Sequence, residues 1–286
     1  MDIGPLTSAL NANGLSAYAS LADNLALPAL RLIAGFAPYA TIKLGSSRIG
    51  GLPDLPAGQA WPAMNGAPMS FIGQIRLEEV HGLDGADAFP AAGLLSFFYD
   101  GSQQTYGSDP NDRAGFSVIY TSDVEQAGLA HQADYPAALP SSARFGSAAV
   151  TFEAIPTYAQ DLKAEFPDHQ VSPQDQQHFE AALAQVAAAP SMTPRHQLLG
   201  HPDTIQDDMR QQCQFAANGL ADPSSDLQKA AALAASANEW RLLLQIDSDQ
   251  RLGMTWGSAG MLYFWIRQQD LSNANFNACW VVLQSD

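Results

Sequence analysis

Basic residues are scarce in this 286-residue chain. It has 13 lysines and arginines against 29 aspartates and glutamates, which gives a formal net charge of −16 at pH 7. No two basic residues are adjacent, so the chain has no basic stripe of the kind that neutralises phosphates. These features argue against binding to nucleic acid or to an anionic membrane surface, and they are compatible with a basic protein partner.

Cysteine and long apolar runs are scarce as well. The two cysteines, Cys213 and Cys279, are too few for a disulfide framework, and we expect buried, reduced thiols. The most apolar early stretch, residues 25–40, is interrupted by two prolines and an arginine and is too short to span a bilayer. Because the first residues also lack the basic region of a secretion signal, the sequence predicts a cytoplasmic protein without a membrane segment.

The stretch from Trp240 to Leu271 predicts the strand pair around which the fold is built. Residues 241–247 carry apolar side chains on both faces, and residues 261–267 are aromatic and β-branched, as buried strands are. A weaker version of the same pattern occurs at residues 71–77 and 93–100. In both places apolar-x-x-Gln-Ile-charged is followed by Gly-x-Leu-x-Phe, which indicates an internal duplication.

We therefore predict an α+β fold of largely antiparallel β-sheets with an internal duplication and peripheral helices. Residues 1–40 are expected to be an N-terminal helical segment packed on the body of the fold. Residues 41–286 are expected to form a single domain made of two related halves, about 41–155 and 196–286, joined by a helical insert.

Two helices are predicted after the first half. One has Ser172 as its N-cap and Asp175 three residues past the cap, and it should end near Ala189. The other covers residues 204–219, with Thr204 as its cap. Apolar residues recur at helical spacing in both, so each helix should pack one face on the body.

Gln74 and Gln245 occupy equivalent positions in the two strand patterns. A glutamine among such apolar residues must satisfy its amide group, and the loops that precede each strand offer free backbone groups because proline interrupts regular pairing. We expect each glutamine to be buried and to hold the Gly-x-Pro loop of its own half, which is Gly51-Leu52-Pro53 in the first and Gly200-His201-Pro202 in the second.

Arg76 and Asp247 follow these glutamines by two positions with opposite charges. They are predicted to form an ion pair if the two halves meet at a pseudo-twofold axis. Asp247 also belongs to the pattern Asp247-x-Asp249, whose carboxylates could bind a divalent cation. No third ligand is identifiable, and aspartates also close turns by bonding to their own backbone, so the turn interpretation is favoured over the metal site.

No catalytic or cofactor-binding motif is recognisable, and no cofactor or metal is predicted. The six histidines are dispersed, and neither a Gly-x-Ser-x-Gly elbow nor a phosphate-binding loop is present. His201-Pro202-Asp203 matches a tripeptide of chaperone partner domains, but here it precedes an acidic helix, and we interpret the match as chance. Trp61 lies in the Pro-rich stretch 51–68 and either anchors this loop by packing or lines a ligand groove.

Long stretches of the chain resemble the YwqG-like family of bacterial proteins of unknown function. They are GGLPDLPAGQAWP with FIGQIRL and GLLSFFYD, then HQLLGHPDTIQDDMRQQCQFAANG, and finally residues 240–286. The resemblance implies a mixed α+β fold with antiparallel sheets and no established activity. Members look similar in setting to proteins encoded near secreted toxins, which implies an immunity role.

The chain departs from the family pattern at two places. Trp256-Gly257-Ser258 stands where the family often has Trp-Gly-Asp, and Gly200-His201-Pro202 stands where Gly-Gly-x-Pro or Gly-Tyr-Pro is common. If the missing aspartate were a metal ligand in relatives, that role would be lost here.

Two functions follow from the sequence. The first is a non-enzymatic, acidic protein-binding module, of the immunity type, that covers a basic toxin and makes contact through the Trp61 loop and the polar loop 102–113. The alternative is an enzyme, or a protein that binds a small molecule or metal, with its site between the two halves. The candidate binding residues are Trp61, Gln74, Arg76, Gln245, Asp247, Asp249 and Trp256.

Overall fold

The structure, a computed structural model, describes residues 1–186 and 194–285. The fold is mixed α+β, as the sequence predicts. Over these residues the strands are β1 (Ala26–Phe36), β2 (Arg48–Ile49), β3 (Asp54–Leu55), β4 (Ala63–Met64), β5 (Ala67–Pro68), β6 (Ser70–Arg76), β7 (Leu94–Tyr99), β8 (Phe116–Thr121), β9 (Ala130–His131), β10 (Ala148–Tyr158), β11 (Gln197–Leu198), β12 (Trp240–Asp247), β13 (Met261–Arg267) and β14 (Trp280–Gln284). The α-helices are α1 (Gly4–Ala12), α2 (Ser16–Ala19), α3 (Ala22–Leu25), α4 (Leu77–Val80), α5 (Leu162–Glu165), α6 (Pro173–Val186), α7 (Arg210–Ala217), α8 (Leu227–Ala234) and α9 (Gln268–Ser272).

Ten strands form one antiparallel sheet in the order β14-β13-β12-β11-β1-β10-β2-β6-β7-β8. This order is symmetrical about the central pair of β1 and β10, so β6 and β12 hold equivalent places in the two halves, as do β7 and β13. The symmetry extends to an irregularity, because the register shifts between Phe71 and Gly73 in β6 and between Leu242 and Leu244 in β12. Such a β-bulge is a specific feature of a strand pair. Its recurrence at the same step of both ladders is what an internal duplication predicts.

The N-terminal segment differs from the helical segment that we expected over residues 1–40. It is helical only as far as Leu25, and β1 then pairs along its whole length with β10 and, at Leu30 and Arg31, with β11. The Ala- and Leu-rich sequence favours a helix locally, but strands on both sides satisfy its backbone groups and bury Leu30 and Leu32. Strand β1 therefore pairs with a strand of the second half, although it comes before the first half in the sequence.

The two halves of the sheet pack face to face. The ring centroids of Phe97 in β7 and Phe264 in β13 are 5.1 Å apart, and those of Phe116 and Trp280 are 5.6 Å apart. Buried residues of both halves belong to one hydrophobic core. The space between these strands is therefore filled by aromatic side chains, and a cavity of about 300 Å³ between the halves lies at its margin, lined by residues 101–104 and 106 and by Gly257, Leu283 and Ser285.

The N-terminal helices and the helical insert share a smaller core, in which Leu10 and Phe179 are fully buried. Helix α6 begins after a reciprocal cap, since Ser172 N donates to Asp175 Oδ2 at 2.9 Å and Asp175 N donates to Ser172 Oγ at 3.1 Å. Its predicted end near Ala189 lies outside the described residues. No helix in the described part of the chain combines the length and apolar character needed to cross a bilayer.

Helix α7 begins at Arg210 rather than at Thr204, where we predicted its cap. The Thr204 hydroxyl donates to Gln160 Oε1 instead, and the backbone N–H groups of Ile205 and Gln206 donate to Gln284 Oε1 at 3.0 and 3.2 Å. These partners hold residues 204–206 in an irregular segment along strand β14. This segment forms one wall of the candidate site.

Candidate functional site

The two glutamines are fully buried and bonded as predicted. Gln74 Oε1 accepts from Asp54 N at 3.0 Å, and Gln74 Nε2 donates to Asp54 Oδ2 and to Ser46 O, both at 2.9 Å. In the second half, Gln245 Oε1 accepts from Asp203 N at 2.9 Å, and its Nε2 donates to Asp203 Oδ2 at 3.0 Å. Each glutamine therefore clamps the loop of its own half through both the backbone and the side chain of one aspartate.

Those two aspartates were missed among the predicted site residues. Asp54 and Asp203 each end a four-residue pattern, Gly-x-Pro-Asp, at residues 51–54 and 200–203. The aspartate at the fourth position of both patterns was the sequence signal that could have identified them. The repeat also explains why the tripeptide His201-Pro202-Asp203 occurs in this chain, since these residues belong to the duplicated loop.

The two loops differ in charge and burial. In the first half, Arg48 Nη1 donates to Asp54 Oδ2 at 2.8 Å, and both side chains are completely buried. Burial alone would raise the pKa of Asp54, but hydrogen bonds and charge from Arg48 hold it below its usual value. In the second half neutral Gln197 occupies the place of Arg48, and the Asp203 side chain is 27% exposed. The second loop is the one that opens to solvent.

His201 occupies the position that Leu52 holds in the first half. It is buried, and its Nε2 lies 3.2 Å from the carbonyl oxygen of Asn24, which assigns the proton to Nε2. Burial, followed by the charge of Arg210, lowers the pKa of His201 to about 4. The ring is therefore neutral at pH 7, although its Nδ1 lies 3.8 Å from a carboxylate oxygen of Glu165.

Arg210 links two carboxylates beside this histidine. Its Nη2 lies 3.0 Å from Glu165 Oε1, and its Nε donates to Asp208 Oδ2 at 2.8 Å. Burial raises the pKa of both carboxyl groups above their usual values despite the attraction of Arg210. The cluster joins the end of α5, the start of α7 and the second loop, and burial makes its two carboxyl groups easier to protonate than exposed ones.

Two cavities open on either side of this cluster. Cavity A has a volume of about 230 Å³, and the residues that line it alone include Asn24, Asn238, Trp240, Arg241 and Trp265. Cavity B has a volume of about 430 Å³, and the residues that line it alone include Gln160, Asp161, Glu180, Thr204 and Asp207. Both are also lined by Glu165, His201, Pro202, Asp208 and Arg210, so the cluster forms a wall common to the two cavities, which together are called the cleft.

Two residues that line cavity A beside Glu165 and Asp208 have donors without a bonded carboxylate in the described chain. Trp265 is only 2% exposed, and its indole N–H has no hydrogen-bond partner within the described residues. Arg241 donates to the carbonyl oxygens of Asn238 and Trp240, and it forms no ion pair with a described carboxylate. Burial and the neighbouring charge of Arg210 lower the pKa of Arg241 from its usual value. Cavity A therefore combines the guanidinium of Arg241, which has no ion pair among the described residues, with the carboxylates of Glu165 and Asp208.

Neither predicted tryptophan lines the cleft. Trp61 donates from Nε1 to Met69 O at 2.9 Å and packs against Phe98, which is the anchoring role, the first of the two that we considered. Trp256 is fully buried, with Tyr99 and Phe145 rings 5.9 and 5.7 Å away. Both tryptophans thus contribute to packing in this structure.

The predicted ion pair between Arg76 and Asp247 is wrong. Arg76 instead pairs with Glu78 at 2.7 Å, and Asp247 Oδ2 accepts from the backbone N–H of Arg195 at 2.8 Å. The two residues lie on ladders at opposite sides of the central strand pair, and each has a nearer partner in its own half.

Asp249 is a turn residue with its own partners. Its backbone N–H and carbonyl oxygen bond to Met254, and its carboxylate accepts from Arg251 Nε at 2.9 Å and from Nη2 at 2.7 Å. Over residues 1–186 and 194–285, no group of three or more His, Cys, Asp or Glu side chains is placed to hold a metal ion. The turn interpretation of Asp247-x-Asp249 agrees with these bonds.

Both loops and most of the cleft lie within a region that matches a known family. Residues 47–285 match the family described as a domain of unknown function (DUF1963). The chain belongs to the DUF1963 family. The DUF1963 match includes the two Gly-x-Pro-Asp loops, Arg210, Arg241 and Trp265, and it begins after strand β1. No curated protein matches the chain.

Proposed function

We propose that the protein binds a small molecule through an oxyanion, a carboxylate or a phosphate, that occupies cavity A. The observations that carry this proposal are the unpartnered, buried indole N–H of Trp265 and the guanidinium of Arg241, which forms no ion pair with a described carboxylate; both residues line cavity A. This is the small-molecule alternative of the sequence analysis, moved from the space between the halves to a cleft that the second half forms with the N-terminal segment and the helical insert.

Binding of an oxyanion in cavity A would supply an acceptor for a donor that has none among the described residues. A buried donor without a partner costs about 1–3 kcal/mol, and a hydrogen bond to a charged group contributes about 1.5–3 kcal/mol. An oxyanion would accept from both Trp265 and Arg241, and it would bring the counter-charge that the half-buried guanidinium lacks. An uncharged ligand would satisfy the indole only.

Isothermal titration with acetate, succinate and inorganic phosphate tests the proposal. We expect at least one of these anions to bind, and Trp265→Phe, which keeps a ring and removes the N–H, to weaken that binding at least about tenfold. Arg241→Gln should weaken it further, because the amide can still donate to Asn238 O but carries no charge.

Arg251→Gln is the matched control, since Arg251 is exposed and its partner, Asp249, lies outside cavity A. It should bind the anions as the unsubstituted protein does. The proposal is rejected if none of the three anions binds, or if binding survives both Trp265→Phe and Arg241→Gln.

A second candidate function, the acidic protein-binding module, is favoured by the distribution of charge. Five of the arginines are already paired with carboxylates of the chain, so the acid excess dominates the field outside the molecule; these are Arg48, Arg76, Arg195, Arg210 and Arg251. Such a field speeds the capture of a cationic partner. The resemblance to the YwqG-like family supports the same proposal, because of the immunity setting that it implies.

The predicted contact loop is held against the body. Asp100 accepts from Ser102 N and Gln104 N at 2.8 Å, and Trp280 Nε1 donates to Gly107 O at 2.8 Å. The loop therefore covers edge strand β14 and presents Tyr106, which is 49% exposed. An ordered loop with an exposed aromatic residue suits a protein contact.

Binding to a small basic probe protein at two salt concentrations tests this candidate. Affinity should fall sharply between ionic strengths of about 0.01 M and about 0.1 M, as the screening length shortens from about 30 to about 10 Å. Tyr106→Ala should weaken the complex further at both concentrations. Equal affinity for an acidic probe of the same size, or no dependence on salt, would reject the candidate.

A further inference from the structure

A small cavity lies beside strand β1, next to the point where the short strand β11 begins. Strand β11 pairs with β1 at Leu30 and Arg31, and the N–H of Leu32 then donates to the carbonyl oxygen of His196 at 3.0 Å. The cavity beside this bond has a volume of about 40 Å³ and is called cavity C. It is lined by Arg31, Leu32, Ile33, Ala34, Pro194, His196 and Arg251.

His196 is completely buried, and its hydrogen bond fixes the position of its proton. Its Nδ1 accepts from the backbone N–H of Asp247 at 3.1 Å, so the neutral ring carries its hydrogen on Nε2. Nε2 has no hydrogen-bond partner within the described residues, and Asp249 Oδ2, at 3.8 Å, is beyond hydrogen-bond range. The ring therefore offers a buried donor, and because Nε2 carries hydrogen it has no lone pair there for a metal ion.

Arg31 adds a second buried donor and a positive charge. Its Nε atom is buried and has no hydrogen-bond partner within the described residues. Glu153, opposite Arg31 in β10, is exposed and forms no ion pair with it. The carboxylate of Asp249 accepts from Arg251 Nε at 2.9 Å and from Arg251 Nη2 at 2.7 Å, so its charge already has a partner. Two unused N–H groups and the charge of Arg31 therefore call for an acceptor that is an anion.

We propose that cavity C binds a single halide ion, such as chloride, through the Nε2–H of His196 and the Nε–H of Arg31. The volume selects the ligand, because about 40 Å³ is little more than the roughly 30 Å³ that one water molecule occupies in the liquid. A monatomic ion fits this space, whereas acetate and phosphate are too large for it. The site is independent of the proposed anion site, since cavities A and C share no lining residue.

Other occupants of the same size suit the cavity less well. A cation would face two hydrogen-bond donors and the charge of Arg31. A water molecule would accept from both donors, but it would leave the charge of Arg31 without a counter-ion. A halide satisfies the donors and the charge together, and it would link β1 to the segment that precedes β11.

Chloride NMR measures the binding on the full chain, because a halide held by a protein relaxes faster than the free ion and broadens the line. We expect an excess line width that saturates with chloride and is displaced by bromide. Arg31→Gln, which removes the charge, should weaken the affinity at least about tenfold, as the loss of a hydrogen bond to a charged group predicts.

Two controls isolate cavity C from the rest of the molecule. Lys163→Gln makes the same change of charge at an exposed side chain outside the cavity, and it should bind chloride as the unsubstituted protein does. Trp265→Phe removes the indole donor of cavity A, and it should retain the whole of the line width that depends on Arg31.

Anomalous diffraction from crystals grown in bromide locates the ion without any substitution, so it decides the proposal even if Arg31→Gln does not fold. A bromide peak in contact with both His196 Nε2 and Arg31 Nε is the expected result. A water molecule at this place, bromide peaks at other places only, or an excess line width that is absent or unchanged in folded Arg31→Gln would overturn the inference. Since acetate, succinate and phosphate test cavity A alone, either site can fail while the other stands.

Discussion

The pH dependence of stability provides a direct test of the buried His201. The pKa of this histidine is lowered from 6.5 to about 4 in the folded chain because the ring is buried beside Arg210. In the unfolded chain it titrates near its ordinary value. As pH falls through 6.5, the unfolded state therefore binds a proton that the folded state does not, and the stabilising contribution present above pH 6.5 is lost progressively down to about pH 4.

The structure also suggests the reference substitution and the magnitude. A pKa difference of this size corresponds to about 3 kcal/mol of unfolding free energy between the two ends of the window. His201→Leu places in the second loop the residue that Leu52 supplies in the first. At pH 7 the variant should be less stable by about 1 kcal/mol, because the carbonyl oxygen of Asn24 loses its donor. At pH 4 it should be the more stable protein by about 2 kcal/mol.

Urea denaturation of both proteins between pH 7.5 and pH 4, without added ligand, measures the difference. The pKa values of Glu165 and Asp208 are raised in the folded chain, so these two carboxyl groups bind protons at a higher pH in the folded state than in the unfolded state. They therefore stabilise the fold as pH falls. Since both proteins contain these groups, the comparison cancels most of their effect. Parallel stability profiles over this pH range would refute the argument that His201 is buried in its neutral form.

Two further predictions concern the duplicated loops. Asp54→Asn should destabilise the fold by about 3–5 kcal/mol in urea denaturation, because it leaves the guanidinium of Arg48 buried without its counter-charge. Asp203→Asn should cost less, because that side chain is 27% exposed and faces Arg195 rather than a buried arginine. Equal losses of unfolding free energy in the two variants would contradict the difference in burial. Gln245→Leu should cost about 1–3 kcal/mol by leaving the backbone N–H of Asp203 unsatisfied, and an unchanged denaturation midpoint would show that this bond is dispensable.

The sequence contained enough information to predict the strands of the ladders. Residues 241–247 and 261–267 are apolar on both faces over a strand's length, and their echo at 71–77 carries a glutamine at the same step. Such patterns are local, so they survive without knowledge of the partner strand. The bonds of Gln245 were predictable because a buried amide group needs hydrogen-bond partners. The nearest backbone groups without a partner in a strand belonged to the loop of its own half.

The cleft was not predictable in this way. Glu165 comes from the insert, His201 from a loop, Arg210 from the start of a helix and Arg241 from a strand, and no sequence spacing relates them. Strand β1 was missed for a similar reason, because its Ala- and Leu-rich sequence favours a helix until partners from distant parts of the chain pair with both of its edges. The pairing of Asp247 failed because the position of Arg195 was unknown.

The central place of β1 has a consequence for the synthesis of the chain. Phe36 pairs with Ala148, 112 residues further along, and Leu30 pairs with Leu198, 168 residues further along. At about 5–20 residues per second, the ribosome needs roughly 6 to 22 seconds to supply the first partner after β1 and roughly 8 to 34 seconds to supply the second. Over that time the strand has both of its edges unpaired, which is the condition that promotes aggregation. A chaperone or fusion partner that covers residues 26–36 would therefore raise the yield of folded protein without changing the stability of the finished fold.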